Sequence, residues 1–350
     1  MLRGLTGRIT AAALAALVTA GALGACGDGG GTGDGGGSGA PLRLGYFPNI
    51  THATALVGVE KGIFAKHLGT APKTATFNAG PSAVEALFSG AIDATFVGPN
   101  PSINAWAKSH GKAVRIISGA ASGGVSLVVK PGIKGVQDLR GKRIATPQLG
   151  NTQDVAIRYW LKQNGLTANK DGSGDVKVVP QENSQTLQTF AQGDIDGAWV
   201  PEPYASRLIL ESKGKRLLDE KTLWPGGKFV ITNLLVSQEY AKKNPEQVKK
   251  LLEGVVEATD YINQNQADAQ KVTNDALTKL SGKPLKEDVL AAAFKEIDFT
   301  VDPVASSLTA GARHAEEIGL LEKTDLTGIY DLKPLNEVLK ANGKPQVDDR

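Results

Sequence analysis

From Leu42 onward, short apolar runs alternate with stretches whose apolar residues recur every three or four positions. "LRLGYF", "TATFN", "ATFVG" and "VRIISGA" read as strands, and "TALVGVEKGIFAKHL", "PSAVEALFSG" and "PSINAWAKSHG" as the helices between them. A second series follows: "KRIATPQ", a helix from Thr152, "VKVVP", "SQTLQTFAQG", "GAWV" and "EPYASRLILESK". This alternation predicts an α/β fold built from βαβ units and parallel sheets. After "FVITNLLVS" the chain from Gln238 reads as mostly helical.

The two series share a short frame. "LFSGAIDATFVGPNP" parallels "TFAQGDIDGAWVPEPY", with Gly90, Ile92, Asp93, Phe96 and Val97 matching Gly193, Ile195, Asp196, Trp199 and Val200. In each, Gly ends a helix, an apolar strand follows, and a Pro-containing loop leaves the strand's C-terminal end. The match predicts two lobes of similar architecture. Many βαβ units converge on such a frame, so it does not establish duplication. Asp93 and Asp196 fall at turn positions, where structural roles suit them better than general-base roles.

In open α/β sheets, ligands bind outside the carboxyl ends of the strands. The loops there are "PNITHA", "AGPS", "GPNPS", "ASGG", "LGNTQD" and "PEPY", rich in Gly, Pro, Ser, Thr and Asn and nearly without charge. "LGNTQD" opens an amphipathic helix with Val155, Ala156, Tyr159 and Trp160 on its apolar side and Arg158 and Lys162 facing away. Two readings of its start are open. Asn151 caps the helix and Asp154 completes a capping-box-like pattern, or the free N–H groups hold an anion. Convergence of several helix starts on one space favours the anion.

The first 25 residues have a basic start, Arg3 and Arg8, and an apolar run rich in small residues, the pattern of a signal peptide. It ends in Leu23-Gly24-Ala25-Cys26, which resembles the bacterial lipobox, and Cys26 is the only cysteine in 350 residues. Residues 26–40, "CGDGGGTGDGGGSGA", then read as a lipidated Cys26 on a flexible tether. Its Gly31-x-Gly33-x-x-Gly36 has no strand before it or helix after it, so it is no dinucleotide loop. The net charge of +3 falls to +1 once Arg3 and Arg8 are removed, which argues against nucleic acid or an anionic membrane surface as the main partner. With 41% hydrophobic and 21% charged residues, the composition is that of a globular protein.

These features resemble the substrate-binding lipoproteins of ABC importers, in the nitrate, sulfonate and taurine class. The resemblance runs from the lipobox to about Gly319. It is carried by "LRLGYFPNITHATALVGVEKGIFAKHLG", "LFSGAIDATFVGPNPSINAWAKSHG", "DLRGKRIATPQLGNTQDVAIRYWLKQNGL" and "GDIDGAWVPEPYASRL", in order and spacing. It implies a two-lobed periplasmic-binding-protein-like fold, each lobe a mainly parallel sheet flanked by helices, with the ligand cleft between. Lobe 1 is expected at residues 41–128 plus 232–350 and lobe 2 at 129–231, with crossovers near Val128 and Ile231. A monomer, held at the extracytoplasmic face by lipid alone, would hand its ligand to the importer's membrane and ATPase subunits.

Weakly hydrated anions such as nitrate and sulfonates are held by neutral N–H donors and helix dipoles without a buried cation. The expected cleft offers Asn49, Thr51, Ser82, Asn100, Ser122, Asn151, Thr152 and Gln153 as such donors, with Gly80, Gly123 and Gly150 bringing backbone close. Trp199 and Tyr204 are placed to cover an organic tail. Glu202 repels an anion unless it meets an amine or hydroxyl, pairs with a neighbour or faces outward. His52 either binds ligand or makes a loop hydrogen bond, and His67, His110 and His314 read as surface residues. An aliphatic sulfonate is the first expectation, ahead of taurine, nitrate, bicarbonate and a thiamine-type pyrimidine.

Related enzymes of thiamine-pyrimidine synthesis use a Cys-rich metal motif, and here the single Cys is taken by the lipobox. The sequence carries no His-Glu-x-x-His, Walker loop or Gly-x-Ser-x-Gly. No cofactor or catalytic residue is therefore expected. A tethered sensor that passes its ligand to a receptor is the remaining alternative.

Overall fold

The structure, a computed structural model, describes residues 40–349. The signal segment, Cys26 and the Gly-rich tether lie outside the described residues. β1 (Arg43–Tyr46) leads through a 3₁₀ turn (Ile50–His52) into α1 (Ala53–Glu60) and α2 (Ile63–Leu68). The sequence pattern reads these two helices as one. Gly62, at φ +69°, separates them, in a backbone region open to Gly. β2 (Lys73–Thr76), α3 (Gly80–Phe88), β3 (Ala94–Val97), α4 (Pro99–Lys108) and β4 (Val114–Gly123) complete the first series.

The chain then enters a second sheet. Its elements are β5 (Val125–Val129), β6 (Arg143–Thr146), α5 (Thr152–Gln163), β7 (Lys177–Pro180), α6 (Asn183–Gln192), β8 (Gly197–Pro201), α7 (Tyr204–Ser212) and β9 (Lys215–Asp219). β10 (Val230–Ser237) returns to the first sheet and is followed by α8 (Gln238–Lys243), α9 (Pro245–Gln264), α10 (Gln266–Ser281) and α11 (Glu287–Lys295). β11 (Ile297–Phe299), α12 (Ala305–Glu317) and α13 (Lys333–Ala341) close the chain.

The first sheet has the order β11-β4-β10-β3-β1-β2 and the second β7-β6-β8-β5-β9. In each, three strands run parallel (β2-β1-β3 and β7-β6-β8), and the strands that carry the chain between sheets pair with them antiparallel. β1 corresponds to β6, β3 to β8 and β10 to β5. Val128 and Ile231, near which the crossovers are expected, lie inside β5 and β10. The chain passes between sheets at Gly124 and again just before Val230, so residues 125–128 belong to the second sheet.

The shared Ile-Asp frame has one structural job in both halves. The Arg43 N–H donates to Asp93 Oδ2 at 2.9 Å, and the Arg143 N–H donates to Asp196 Oδ2 at 2.9 Å. Each Asp therefore pins the start of the first parallel strand of its sheet to the turn before the next. β3, β5 and β8 are buried along their whole length, as strands covered on both faces must be. Of the C-terminal helices, α9, α10 and α13 pack on the first sheet's side, while α11 meets α7 and α12 meets both α4 and α5. α9 comes close to α1 and α2 because Gly58 and Gly254 flank the Phe64 ring, where added Cβ atoms would sit 2.3 and 2.8 Å from it.

Arg158 is buried, 3% exposed, instead of facing away. Its guanidinium contacts Asp154 at 3.1 Å and donates to the Ala168 and Asn169 carbonyls. Asp154 in turn accepts from Thr146 Oγ1 (3.1 Å) and from the Gly150 N–H (3.0 Å). The charge pair is an internal brace behind the start of α5.

Candidate functional site

Strand ends of the two sheets meet around a narrow cavity of about 20 Å³, in a measure where one water needs about 10–15 Å³. The first sheet contributes Phe47, Asn49, Thr51 and His52 after β1, Asn78 after β2 and Gly98 after β3. The second contributes Pro147, Asn151, Thr152 and Gln153 after β6, Asn183 after β7 and Pro201 after β8, with Ile231 closing the floor from β10. The starts of α4, α5 and α6 all come to this space. The first N–H groups of a helix lack intrahelical partners and sit at its positive end.

No Asp, Glu, Lys or Arg lines the cavity. His52, 2% exposed, is its titratable group, and burial pushes its pKa down to about 3. It is therefore a neutral imidazole stacked on Phe47, with ring centroids 4.3 Å apart. The Phe47 N–H donates to Nδ1 at 3.3 Å, which places the ring proton on Nε2 as a donor. Two polar atoms of the wall are buried without any partner: Thr152 Oγ1 and Asn183 Oδ1. Turning the Asn183 amide by 180° presents its N–H groups there instead. Buried polar atoms are nearly always paired, and these two leave open hydrogen-bonding positions toward the cavity.

Beside the cavity, sharing Asn78 and Pro147 as lining, lies a vestibule of about 350 Å³. Among the bridges between the halves are Asn78 Nδ2 to Glu182 Oε1 (2.7 Å), Asn104 Nδ2 to the Gly150 carbonyl (3.4 Å), Lys162 Nζ to the Glu317 carbonyl (2.5 Å) and Tyr159 stacked on His314 (3.7 Å). His314 is thus half-buried between the halves, not a surface residue, and burial lowers its pKa. His67 is likewise partly covered, its Nε2 lying 2.7 Å from Glu257.

Of the residues expected at the site, Asn49, Thr51, His52, Asn151, Thr152 and Gln153 line the cavity, and Ser82 lines the vestibule. The others do neither. Gly80 packs on Pro101, where a Cβ would lie 2.1 Å from the ring. Asn100 donates to the Gly311 carbonyl, tying α4 to α12. Ser122 accepts from the Phe229 N–H, and Gly123, at φ +81°, abuts Lys221 and the Glu296 carbonyl at the crossover. Gly150 is left-handed (φ +74°), and a Cβ there would meet only Asn104 Nδ2, at 3.9 Å. Trp199 is fully buried in the second half and donates Nε1–H to Glu220 at 2.6 Å.

Glu202 accepts from the N–H and Oγ–H of Ser206, both at 3.0 Å, so it caps α7, and burial raises its pKa to about 7. Tyr204, at the start of that helix, packs in the same half. Asn151 occupies the cap position of α5 but makes no side-chain cap bond; its Nδ2–H donates to Gln153 Oε1 at 3.0 Å. The Asp154 carboxylate on Gly150 closes this turn instead.

Missed by sequence reasoning were Phe47, Asn78, Gly98, Pro147, Asn183, Pro201 and Ile231. Gly98, Pro147 and Pro201 stand inside or beside the loops already singled out. Asn183 follows "VKVVP", a strand end to which the same rule applied.

A sequence model described as the NMT1-like family matches residues 36–276. A taurine-binding periplasmic protein of Escherichia coli (strain K12) is 29% identical over 235 residues, 66% of this chain and 70% of that one. The fold is similar to that of a periplasmic nitrate-binding protein of Synechocystis PCC 6803, with a TM-score of 0.75 at 17% identity over 87% of this chain and 89% of that one. It is also similar to an alkanesulfonate-binding protein of Xanthomonas axonopodis pv. citri bound to MOPS, with a TM-score of 0.67 at 22% identity over 81% and 95% of the two chains.

Proposed function

From the premise that the chain belongs to the NMT1-like family, we propose that it is the extracytoplasmic solute-binding protein of an ABC importer. It captures a small organic anion, an aliphatic sulfonate first, between two lobes, 41–124 with 230–349 and 125–229, and delivers it without chemical change. The observation that carries this reading is the cavity itself: neutral hydrogen-bonding groups after β1 and β2 and at the starts of α5 and α6, two of its buried polar atoms unpartnered, and no charged side chain on its wall. Such a lining holds a weakly hydrated monoanion through hydrogen bonds and helix dipoles. A strongly hydrated divalent ion would need countercharge there. Relatives with named ligands are binding proteins for taurine, bicarbonate and nitrate/nitrite, in keeping with a compact anionic head.

The cavity's size suits a head group alone, so any tail must lie in the vestibule. That favours a short sulfonate over a bulky pyrimidine. The chain works as a monomer tethered through lipid on Cys26, with importer membrane and ATPase subunits as its partners. The test is calorimetric titration with ethanesulfonate, taurine, nitrate and bicarbonate. Sulfonates are expected to bind and to raise the melting temperature, by about 2.7 kcal/mol of stabilisation at 100 times Kd. Binding of nitrate or bicarbonate with no binding of either sulfonate would overturn the ligand assignment.

A further inference from the structure

We propose that His314, seated against Tyr159 and Trp224, is a proton-sensitive clasp between the two halves: closing the cleft on an anion releases a proton from this imidazole, so acid loosens capture. The inference rests on the two-lobed capture proposed above. It makes His314, which stands outside the cavity lining, a positioning residue that acts through closure.

His314 belongs to α12 in the first half, and both of its aromatic partners come from the second. The Tyr159 ring on α5 stacks on it with centroids 3.7 Å apart and planes 12° apart, and the Trp224 ring lies 5.5 Å away, tilted by 40°. Trp224 in turn stacks on Phe229, just before the chain crosses into β10. The imidazole is half-buried there, and neither of its nitrogens has a hydrogen-bond partner among the described residues. A neutral ring stacks without water, whereas an imidazolium carries two N–H donors that need water or an acceptor. Burial accordingly lowers the His314 pKa from its ordinary 6.5, against a smaller upward pull from Glu317, with Arg313 adding to the lowering. The aromatic faces attract a cation, but they do not replace the water lost at the nitrogens.

The other charges on the elements packed against α12 are engaged or distant. On α5, Lys162 Nζ donates to the Glu317 carbonyl, Arg158 is paired with Asp154, and burial raises the Tyr159 pKa. Glu220, behind Trp224, accepts from its Nε1–H at 3.4 Å and is itself raised to about 7 by burial. α4 carries only Lys108, at its last position, and β10 carries no charge. Opening the cleft takes both rings off the imidazole and returns it to water. Below about pH 6.5 the closed form therefore holds fewer protons than the open form. A ligand that selects the closed form expels a proton there, and protons weaken the ligand by the same factor. Above that window His314 is neutral in both forms and adds no pH dependence. His52, held down to about 3, stays neutral throughout.

The experiment is calorimetric titration of the full chain with ethanesulfonate and with nitrate, both fully ionised across the range, at pH 7.5 and pH 5.5. The parent's Kd should rise about three- to tenfold at the lower pH, tenfold being the limit for one proton over one unit below 6.5. At pH 6, titrations in two buffers of different ionisation heat should show a fraction of a proton released on binding. His314→Phe keeps a stacking ring that cannot titrate, and should lose both the pH ratio and the proton release. Tyr159→Leu, at a half-buried position, removes the ring of the opposite half and should lose them too, with weaker binding at pH 7.5; it serves where His314→Phe does not fold. A parent whose Kd is the same at both pH values overturns the clasp. An unchanged ratio in His314→Phe also overturns it and assigns the proton to another group such as Glu220, which both variants keep. Tighter binding of the parent at pH 5.5 overturns it in favour of an imidazolium held by the rings. If neither anion binds at either pH, the capture reading falls and takes this inference with it.

Discussion

Thr152→Val separates ligand recognition from folding, because the two readouts should move in opposite directions. The side chain sits at the first helical position of α5 and is 6% exposed, and its Oγ1 has no partner. It packs so closely on Gly98 that a Cβ there would lie 2.6 Å from the oxygen. Val keeps the branched shape and replaces the hydroxyl with a methyl. Without ligand, a buried unpaired hydroxyl costs about 1–3 kcal/mol. The variant should therefore melt at the parent's temperature or above it, by about 2–4 °C for each kcal/mol recovered. With ligand, the lost bond to a charged group is worth about 1.5–3 kcal/mol, which raises Kd about ten- to 150-fold. Calorimetry and a melting curve on the same samples provide both numbers. Unchanged affinity for a confirmed ligand would show that Thr152 does not face it. A lower melting temperature without ligand would mean the hydroxyl has a partner after all.

Gly98→Ala should barely affect folding, since φ is −69° there, yet its Cβ would wedge against Thr152 from the opposite half. Scattering of the liganded variant should show a larger radius of gyration than the parent, with weaker binding. Arg158→Leu leaves the buried Asp154 uncompensated and should cost about 3–5 kcal/mol in chemical denaturation; adding Asp154→Asn should recover part of that loss. Glu202, raised to about 7 from an ordinary 4.5, binds its proton more tightly folded than unfolded. Its stabilising contribution is complete below pH 4.5 and disappears as pH rises through 7. Glu202→Gln should consequently gain melting temperature relative to the parent between pH 4 and pH 8, and a flat difference across that range would contradict the assigned burial. Cys26→Ser should leave binding intact and move the protein out of the membrane fraction, since stable attachment needs more than one acyl chain.

Local periodicity made the layered architecture legible. Apolar runs ending in Pro- or Gly-containing loops became β1, β3, β6 and β8, and the Ile-Asp frame proved to be the same strand-start clamp in both halves. What stayed hidden was short or exposed. β9 (Lys215–Asp219) is never fully buried and β11 spans only three residues, so neither carries a strong alternation. β5, "VSLVV", is buried throughout and apolar at every position but Ser126, so it has no period to read. At the site, topology located the loops but not the direction of each side chain. Thr152 and Gly150 stand two residues apart, yet one lines the cavity and the other does not. Glu202 looked like a cleft carboxylate because it follows β8. The helix it introduces takes both its oxygens, and no pattern of residue types distinguishes a cap from a ligand contact at that position.

The arrangement of unsatisfied groups also bears on how capture works. Asn49, His52 and Gly98 come from the first half, and Thr152 and Asn183 from the second. Each half alone can give its polar groups to water while the cleft is open. Brought together, they leave Thr152 Oγ1 and Asn183 Oδ1 buried and unpaired, a penalty of about 1–3 kcal/mol for each such group. An anion that accepts hydrogen bonds from the Thr152 hydroxyl and from the Asn183 amide, turned so that its N–H groups face the cavity, removes that penalty. A ligand shifts a conformational equilibrium by its difference in affinity for the two states and by nothing else. On the proposed function, then, the orphaned donors are the source of that difference. The open form binds weakly through one wall and the closed form strongly through two. An importer that docks both lobes at once would thereby be presented mainly with loaded protein.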